Sequence, residues 1–357
     1  MKKFNFLYLR SFLAIVSLFL ICFFTSCSDD DSGAAKKTTI TSVNTAKTTP
    51  EDGSPAEVDV PTQMGLPNNT YFIHGTGFST LQKVYFNGVE SYVNPTMVTD
   101  NVIVVTIDQD TPYENASSEL KVVTKFGTVI YPFIIAPPVP ILTKGFNPIN
   151  APEGSVITIY GDFFLDPVVT FGSIPATIIS SSMKEIKVKV PADAVNKYIS
   201  VRNISGSVTS TYAFGTAIYD DVSHGCSFPS WNNHTYETDG TADQGLTYIQ
   251  KKMGAWDNLQ SDWNSWYDKL GPYKGIRLSV KASVNGTVKF IFNGDWSERN
   301  MMTVTPGWNT FEFTWAELGN ATYVQNISFQ NMSKNADGDG IANTISIDNI
   351  GFILKEE

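Results

Sequence analysis

Seven tryptophans, Trp231, Trp256, Trp263, Trp266, Trp296, Trp308 and Trp315, all lie beyond residue 215 of this 357-residue chain. An indole is a rigid apolar plate with one polar edge, and its large area comes at little conformational cost. A pyranose ring offers apolar C–H faces to such a plate and needs polar side chains at its hydroxyl edge. The alternative use of tryptophan is to fill a core, and local context separates the two. Phe311, Phe313 and Trp315 share one face of an alternating run against Glu312 and Thr314, which is a core pattern. Trp308 follows Pro306-Gly307 and reads as structural. The rest sit in polar text. Trp231 is framed by Pro229-Ser230 and Asn232-Asn233. Trp256, Trp263 and Trp266, followed by Tyr267, are interleaved with Asp, Asn, Gln and Ser, and Trp296 follows Asn293-Gly294-Asp295. Loops on a rigid scaffold are where binding residues collect. The stacking candidates are therefore Trp231, Trp256, Trp263, Trp266, Tyr267 and Trp296, with Trp263 and Trp266 foremost. Asn293, Asp295 and Arg299 are the candidate polar contacts.

Other chemistry is thin. His224 and His234 flank Cys226, which could form a thiol–imidazole pair or a metal site, but no third ligand stands nearby. His74 closes an apolar run and reads as structural. Asp295 with Glu298 is the nearest approach to the two positioned carboxylates a glycoside hydrolase needs, and polar sugar contacts explain the pair as well. Asn335-Ala336-Asp337-Gly338-Asp339-Gly340 has oxygen ligands at alternate positions and glycine at the sixth, as a calcium loop requires. Its twelfth position is Ser346 instead of Glu, and a tight hairpin turn explains Asp337 and Asp339 more simply. No cofactor is expected. A net charge of −10 argues against nucleic acid, which demands a basic surface.

The elements that must position these residues are strands. From Val58 onward the chain is short alternating runs punctuated by Gly, Pro and Asn, so the fold class is all-β. An internal repeat covers the middle. Tyr71-Phe72-Ile73-His74-Gly75-Thr76-Gly77-Phe78, then Lys83 to Gly88, is echoed by Val156 to Phe164, then Val168 to Gly172. The offset of about 85 residues is the size of a small immunoglobulin-like sandwich. Ala136-Pro137-Pro138-Val139-Pro140 between the copies predicts a short, stiff linker. Residues 27–57 are Thr-, Ser-, Lys- and Asp-rich and read as a flexible tether. The divisions expected are 1–26, 27–57, 58–136, 139–215 and 216–357. With Cys22 in the apolar leader and Cys27 at its end, Cys226 has no partner for an intrachain disulfide.

Several stretches resemble known families. The two repeat copies resemble IPT/TIG immunoglobulin-like modules, which implies spacers; the second copy adds Glu153-Gly154-Ser155 and Pro191, while the first has Leu66-Pro67-Asn68-Asn69 in place of Glu-Gly. The ending Ile345-Ser346-Ile347-Asp348-Asn349-Ile350-Gly351-Phe352, with Pro306 to Phe311, resembles jelly-roll carbohydrate-binding modules, implying a C-terminal β-sandwich. Phe24-Thr25-Ser26-Cys27, after a basic start and an apolar run, resembles a bacterial lipobox, which implies a signal peptide over 1–26 and lipidation of Cys27. Ordinary secretion is the competing reading. Ser28-Asp29-Asp30-Asp31 resembles the signal that sends Bacteroidetes lipoproteins to the outer face of the outer membrane, with periplasmic retention as runner-up. The ensemble resembles surface glycan-binding lipoproteins of starch-utilisation-type loci, the xyloglucan- and β-glucan-binding members above all. That resemblance implies a polysaccharide or oligosaccharide ligand, a TonB-dependent transporter with its partner lipoprotein, and membrane contact through lipid alone. A surface adhesin binding a protein is the alternative, though its face should be more apolar around the aromatics. If the lipobox reading holds, Cys27→Ala releases the protein from the membrane fraction or leaves it unprocessed. Continued fatty-acid labelling of that variant would disprove it.

Overall fold

The computed structural model describes residues 37–46, 58–263 and 267–355. Among them the chain is all-β: two four-plus-four-stranded sandwiches, then a larger one. Cys27 lies outside the described residues. No described helix is long and apolar enough to cross a membrane.

The repeat has a physical core. In the first module the Thr70–Thr76 strand pairs with Val102–Thr106 on one side and Thr39–Thr45 on the other. A side chain on Gly75 would collide with the Thr39 carbonyl oxygen and with the Phe78 ring. In the second module Val156–Asp162 pairs with Ile141–Asn147, and Gly161 is pressed between the Ile141 carbonyl and Phe164 in the same way. Each copy thus uses a glycine to let the first strand and a buried phenylalanine approach the same backbone, and Phe78 and Phe164 are fully enclosed. The sequence reading placed Thr39–Thr45 in the tether. It is instead the first strand of module one, with Val43 wholly buried and Ile40 packed on the core. Two inward-facing apolar residues suffice when neighbouring strands supply the hydrogen bonds, so composition alone read this stretch as unstructured.

The linker between modules is held down. Asn203 Nδ2 donates to the Pro138 carbonyl (2.8 Å) and Ser205 Oγ to that of Pro137 (2.5 Å).

The C-terminal sandwich packs a six-stranded sheet on a four-stranded one. The first runs Thr235–Glu237, Tyr248–Met253, Asn343–Leu354, Tyr273–Ala282 and Gly307–Thr314, with Ala217–Tyr219 also on the long Asn343–Leu354 strand. The second runs Asn258–Gln260, Ile327–Asn331, Gly286–Phe292 and Met301–Val304. Between them lie Leu278, Val280, Val288, Phe290, Phe329 and Ile347, all fully buried. Phe311, Phe313 and Trp315 pack on this core as their alternation requires, and Trp315 Nε1 donates to the Tyr273 carbonyl (2.7 Å). Trp308 is structural too: its Nε1 donates to Thr241 (2.7 Å) and its ring meets Tyr248 edge-on.

This sandwich is joined to the second module by buried polar groups. Asp220 Oδ2 accepts the backbone N–H of Ile149 (2.6 Å) and Asn150 (2.9 Å). Arg277, 5% exposed, stacks on Tyr212 at 4.6 Å and donates to the Phe352 carbonyl, Thr216 and Asn349. The Asp348-Asn349 pair of the closing strand has its reason here. Asn349 meets Arg277, and Asp348 accepts the backbone N–H of Asp243, Gln244 and Asn349. Burial pushes the Asp348 carboxyl up to about 7 despite those bonds. The folded state then holds this proton more tightly than the unfolded chain, whose carboxylate titrates near 3.9. The stability this gives is full below that unfolded value and is lost as pH rises through about 7. Melting temperature should be lower at pH 8 than at pH 5.5, and Asp348→Asn, which cannot ionise, should shrink that difference. An unchanged pH dependence in the variant would contradict the assignment.

Candidate functional site

The tryptophan-bearing loops have no ladder of their own, so side-chain amides hold them. Asn232, fully buried, brackets the edge strand: its Nδ2 donates to the Gln260 carbonyl and its Oδ1 accepts the Gln260 N–H, both at 2.9 Å. This fixes the short 3₁₀ turn Ser230–Asn232 and leaves Trp231 61% exposed. A second anchor, the Ser227 hydroxyl donating to Asp262, ties the same segment to the residue before Trp263.

Trp263 is 52% exposed and lies on Gly294, where an added Cβ would come within 2.5 Å of its ring. Asn293 and Gly294 have φ of 48° and 77°, and Asp295 N–H closes a tight turn on the Phe292 carbonyl (3.0 Å). Both positions need left-handed backbone, which Asn and Gly adopt most readily. The turn leads to Trp296, 39% exposed and two residues beyond the glycine that Trp263 covers. Beyond it Asp295 accepts the Ser297 N–H (3.0 Å) and faces Arg299 at 3.6 Å. Those hydrogen bonds from Ser297 hold the Asp295 carboxyl below its usual range. It is an ionised acceptor and not the proton-holding acid a hydrolase needs.

Two sequence candidates are drawn onto the scaffold, and a third stands apart. Tyr267 is half-buried, its ring packed against the core 4.7 Å from that of Phe352 and 5.9 Å from that of Tyr273. Its polar sequence context concealed a strand-like pairing with Val324. Asn293 spends its amide on the scaffold, accepting the N–H of Gln325 (2.7 Å) and Asn326 (3.3 Å) and donating to Tyr323 (2.9 Å). Trp256 stands at the other end of the edge strand, 46% exposed, packed against Gly340 with Lys334 Nζ 5.5 Å from its ring centre. Trp266 lies outside the described residues. The structure therefore gathers Trp231, Trp263, Trp296, Asp295 and Arg299 at one end, and Trp256 apart from them. Sequence reasoning missed Tyr323, 43% exposed on the loop that Asn293 clamps. Its signal was an aromatic in polar text, Asn320-Ala321-Thr322-Tyr323, as for the tryptophans.

The competing chemistries find no support in the geometry. Cys226 is buried and burial pushes its thiol well up, away from the thiolate a nucleophile requires. His224 is paired with Asp220 at the module junction, and burial holds His234 below its ordinary value. Asn335 Oδ1 accepts the N–H of Asp337 (3.1 Å) and Asp339 (2.8 Å), so the candidate calcium loop is a side-chain-capped turn. Among the described residues no group of three His, Cys, Asp or Glu side chains is placed to hold a metal ion.

Residues 140–215 match the IPT/TIG domain family. The second module is an IPT/TIG domain. No curated protein matches the chain. Among solved structures it is similar to the surface glycan-binding protein PbSGBP-B from Prevotella bryantii, at 15% identity and a TM-score of 0.50, over 90% of this chain and 100% of that one. It is also similar to SGBP-B from a complex xyloglucan utilization locus in Bacteroides uniformis (15% identity, TM-score 0.35, 89% and 100% covered). A third is the Bacteroides ovatus mixed-linkage glucan utilization locus SGBP-B, solved with a mixed-linkage heptasaccharide (14%, 0.27, 80% and 71%). The first of these likenesses shows a shared fold along nearly the whole chain.

Asn293 is the keystone of the loop cluster. Asn293→Ala strands two backbone N–H groups and puts alanine at a left-handed φ, which should cost about 2–4 kcal/mol and lower the melting temperature by several degrees. Asn293→Asp keeps the acceptor and should lose less. Equal stability of the wild type and the alanine variant would refute this role.

Proposed function

We propose that the protein is a non-catalytic, cell-surface glycan-binding lipoprotein, with its ligand on the C-terminal sandwich and its two immunoglobulin-like modules as spacers. The observation that carries this is the exposure of Trp231, Trp263 and Trp296 on loops braced to one another, with Asp295, Arg299 and Tyr323 on the same loops or the loop that Asn293 clamps. Flat apolar plates rimmed by ionised and amide groups suit pyranose rings and would be a poor hydrophobic patch for a protein. Asp295 as an ionised hydrogen-bond acceptor and Cys226 as an inert thiol speak for binding without turnover. The fold shared with PbSGBP-B adds support, and the glucan loci named for the other neighbours suggest xyloglucan or mixed-linkage β-glucan as first ligands to test. Anchorage through lipidated Cys27 on the outer membrane, and delivery to a TonB-dependent transporter and its partner lipoprotein, complete the proposal.

Each platform buries about 50 Å² of ring, worth roughly 1–2 kcal/mol, so its loss should weaken binding about 5- to 30-fold. Whole protein run on gels containing xyloglucan or mixed-linkage β-glucan should be retarded, and Trp231→Ala with Trp263→Ala together should remove the retardation. Both positions are exposed, so melting temperature should change little. Retardation that survives in the double variant would exclude this site.

A further inference from the structure

The second module and the C-terminal sandwich meet over a cleft of about 730 Å³ to which none of the exposed tryptophans contributes. Its walls come from both domains. On the module side stand the turn at Gly172 and the segment Asn196-Lys197-Tyr198, and on the sandwich side stand Pro272 and Lys355. Backbone bonds fix each wall. Gly172, at a φ of 57°, donates its N–H to the Tyr198 carbonyl (2.7 Å), and Lys355 N–H donates to that of Pro272 (3.0 Å). Asn196, also left-handed, donates its N–H to the Phe214 carbonyl (2.8 Å). Its side-chain oxygen accepts the Tyr273 hydroxyl from the sandwich (3.2 Å). The two walls are therefore tied to each other as well as within themselves.

The polar ends that remain are mostly donors. Lys197 lays its stem over Gly172, where an added Cβ would come within 3.3 Å of it, so this lysine is drawn in against the turn. Among the described residues no carboxylate pairs with Lys197 or Lys355, and no acceptor takes the side-chain N–H groups of Asn196. Among them, too, no Asp or Glu lines the cleft, although the chain has 35 acidic residues against 25 basic ones. Glu153 and Asp193 lie in a separate recess that also borders Asn196. Two ammonium groups and an amide donor, with no negative charge among them, favour an anion. The Tyr198 ring, 36% exposed, adds a flat apolar wall with a hydroxyl at its edge. The volume is that of a small-molecule site, which runs from roughly 300 to 1,000 Å³. A sugar acid carries both matching features, a carboxylate for the donors and a ring face for the tyrosine.

We propose that this cleft is a second ligand site, separate from the tryptophan loops, that takes a uronic acid or a short saccharide bearing one. The carboxylate lies between Lys197 and Lys355, and the sugar ring lies against Tyr198. The site adds a charged ligand class to the neutral glucans proposed for the loops and does not depend on that reading.

The test is calorimetry on the whole protein at low salt, with glucuronate and digalacturonate as probes. Glucose, acetate and a tri-aspartate peptide are the contrasts, run also in the Trp231→Ala and Trp263→Ala double variant so that the loops do not contribute. Both uronates should bind. Lys197→Met and Lys355→Met keep the stems and should each weaken that binding about ten-fold. Raising salt from about 20 mM to about 300 mM should weaken it as well. Tyr198→Leu should lower affinity for the uronates. Each variant is judged only if its melting curve matches the wild type, and Lys355→Gln, at an exposed position, carries the comparison if Lys197→Met folds poorly. A wild type that ignores both uronates, or binding undiminished with both lysines replaced, overturns the site. Equal affinity for acetate or the peptide overturns the sugar-acid assignment, and equal affinity for glucose overturns the role of charge. Uronate binding lost with the two tryptophans but kept without the lysines would place the acid on the loops and overturn the cleft. Retardation on neutral glucan gels reads the loops alone, so failure of one reading is seen apart from failure of the other.

Discussion

The site depends on one constraint: loops outside a β-ladder still carry backbone donors and acceptors that must be satisfied. In this sandwich asparagine side chains do that. Asn232 and Asn326 are wholly buried, and Asn331 as well. Asn326 Nδ2 donates to the Ser261 carbonyl, and Asn331 Nδ2 to those of Gly254 and Ile341. Asn343 does the same for the turn at Ser283 and Val284. An amide offers both a donor pair and an acceptor, so one side chain can replace a missing strand neighbour on either side. Each such bond adds only about 1 kcal/mol, but leaving the backbone groups unpaired would cost more. With the backbone fixed by amides, the tryptophans need not be buried to be ordered.

The same economy of contacts organises the two immunoglobulin-like modules. Gly75 and Gly161 admit a strand and a phenylalanine to one spot, so each module closes its first strand around a single missing side chain. The joint to the C-terminal sandwich is of another kind. Asp220 takes two backbone N–H groups from the second module, and Arg277 lies against Tyr212 with its charge enclosed. Burial lowers the Arg277 pKa to about 10, which leaves it charged at neutral pH and committed to its carbonyl and hydroxyl partners. Breaking such a joint exposes groups that only the joint satisfies, so the second module and the sandwich are held in one arrangement. The tryptophan-bearing loops are thereby carried on a pair of joined domains and not on a single one.

The sequence by itself determined that the chain is all-β, where the repeat lies, and that Phe311, Phe313 and Trp315 belong to the core. These are readable because alternation and glycine spacing are local, and the alternation at Phe311, Phe313 and Trp315 means the same wherever the strand is placed. It also marked Trp231, Trp263 and Trp296 as exposed, since polar neighbours on both sides leave no apolar partner within reach. Only the tertiary structure decided the rest. Thr39–Thr45 became a strand because Thr70–Thr76 offers an edge more than twenty residues later. Tyr267 packs against the core because Phe352, at the far end of the chain, supplies a ring to meet it. Asn293, which reads in sequence as a ligand contact, is a brace, because an amide beside an exposed ring reads the same in sequence whether it faces solvent or a distant carbonyl. Long-range partners settle such cases, and no local pattern encodes them.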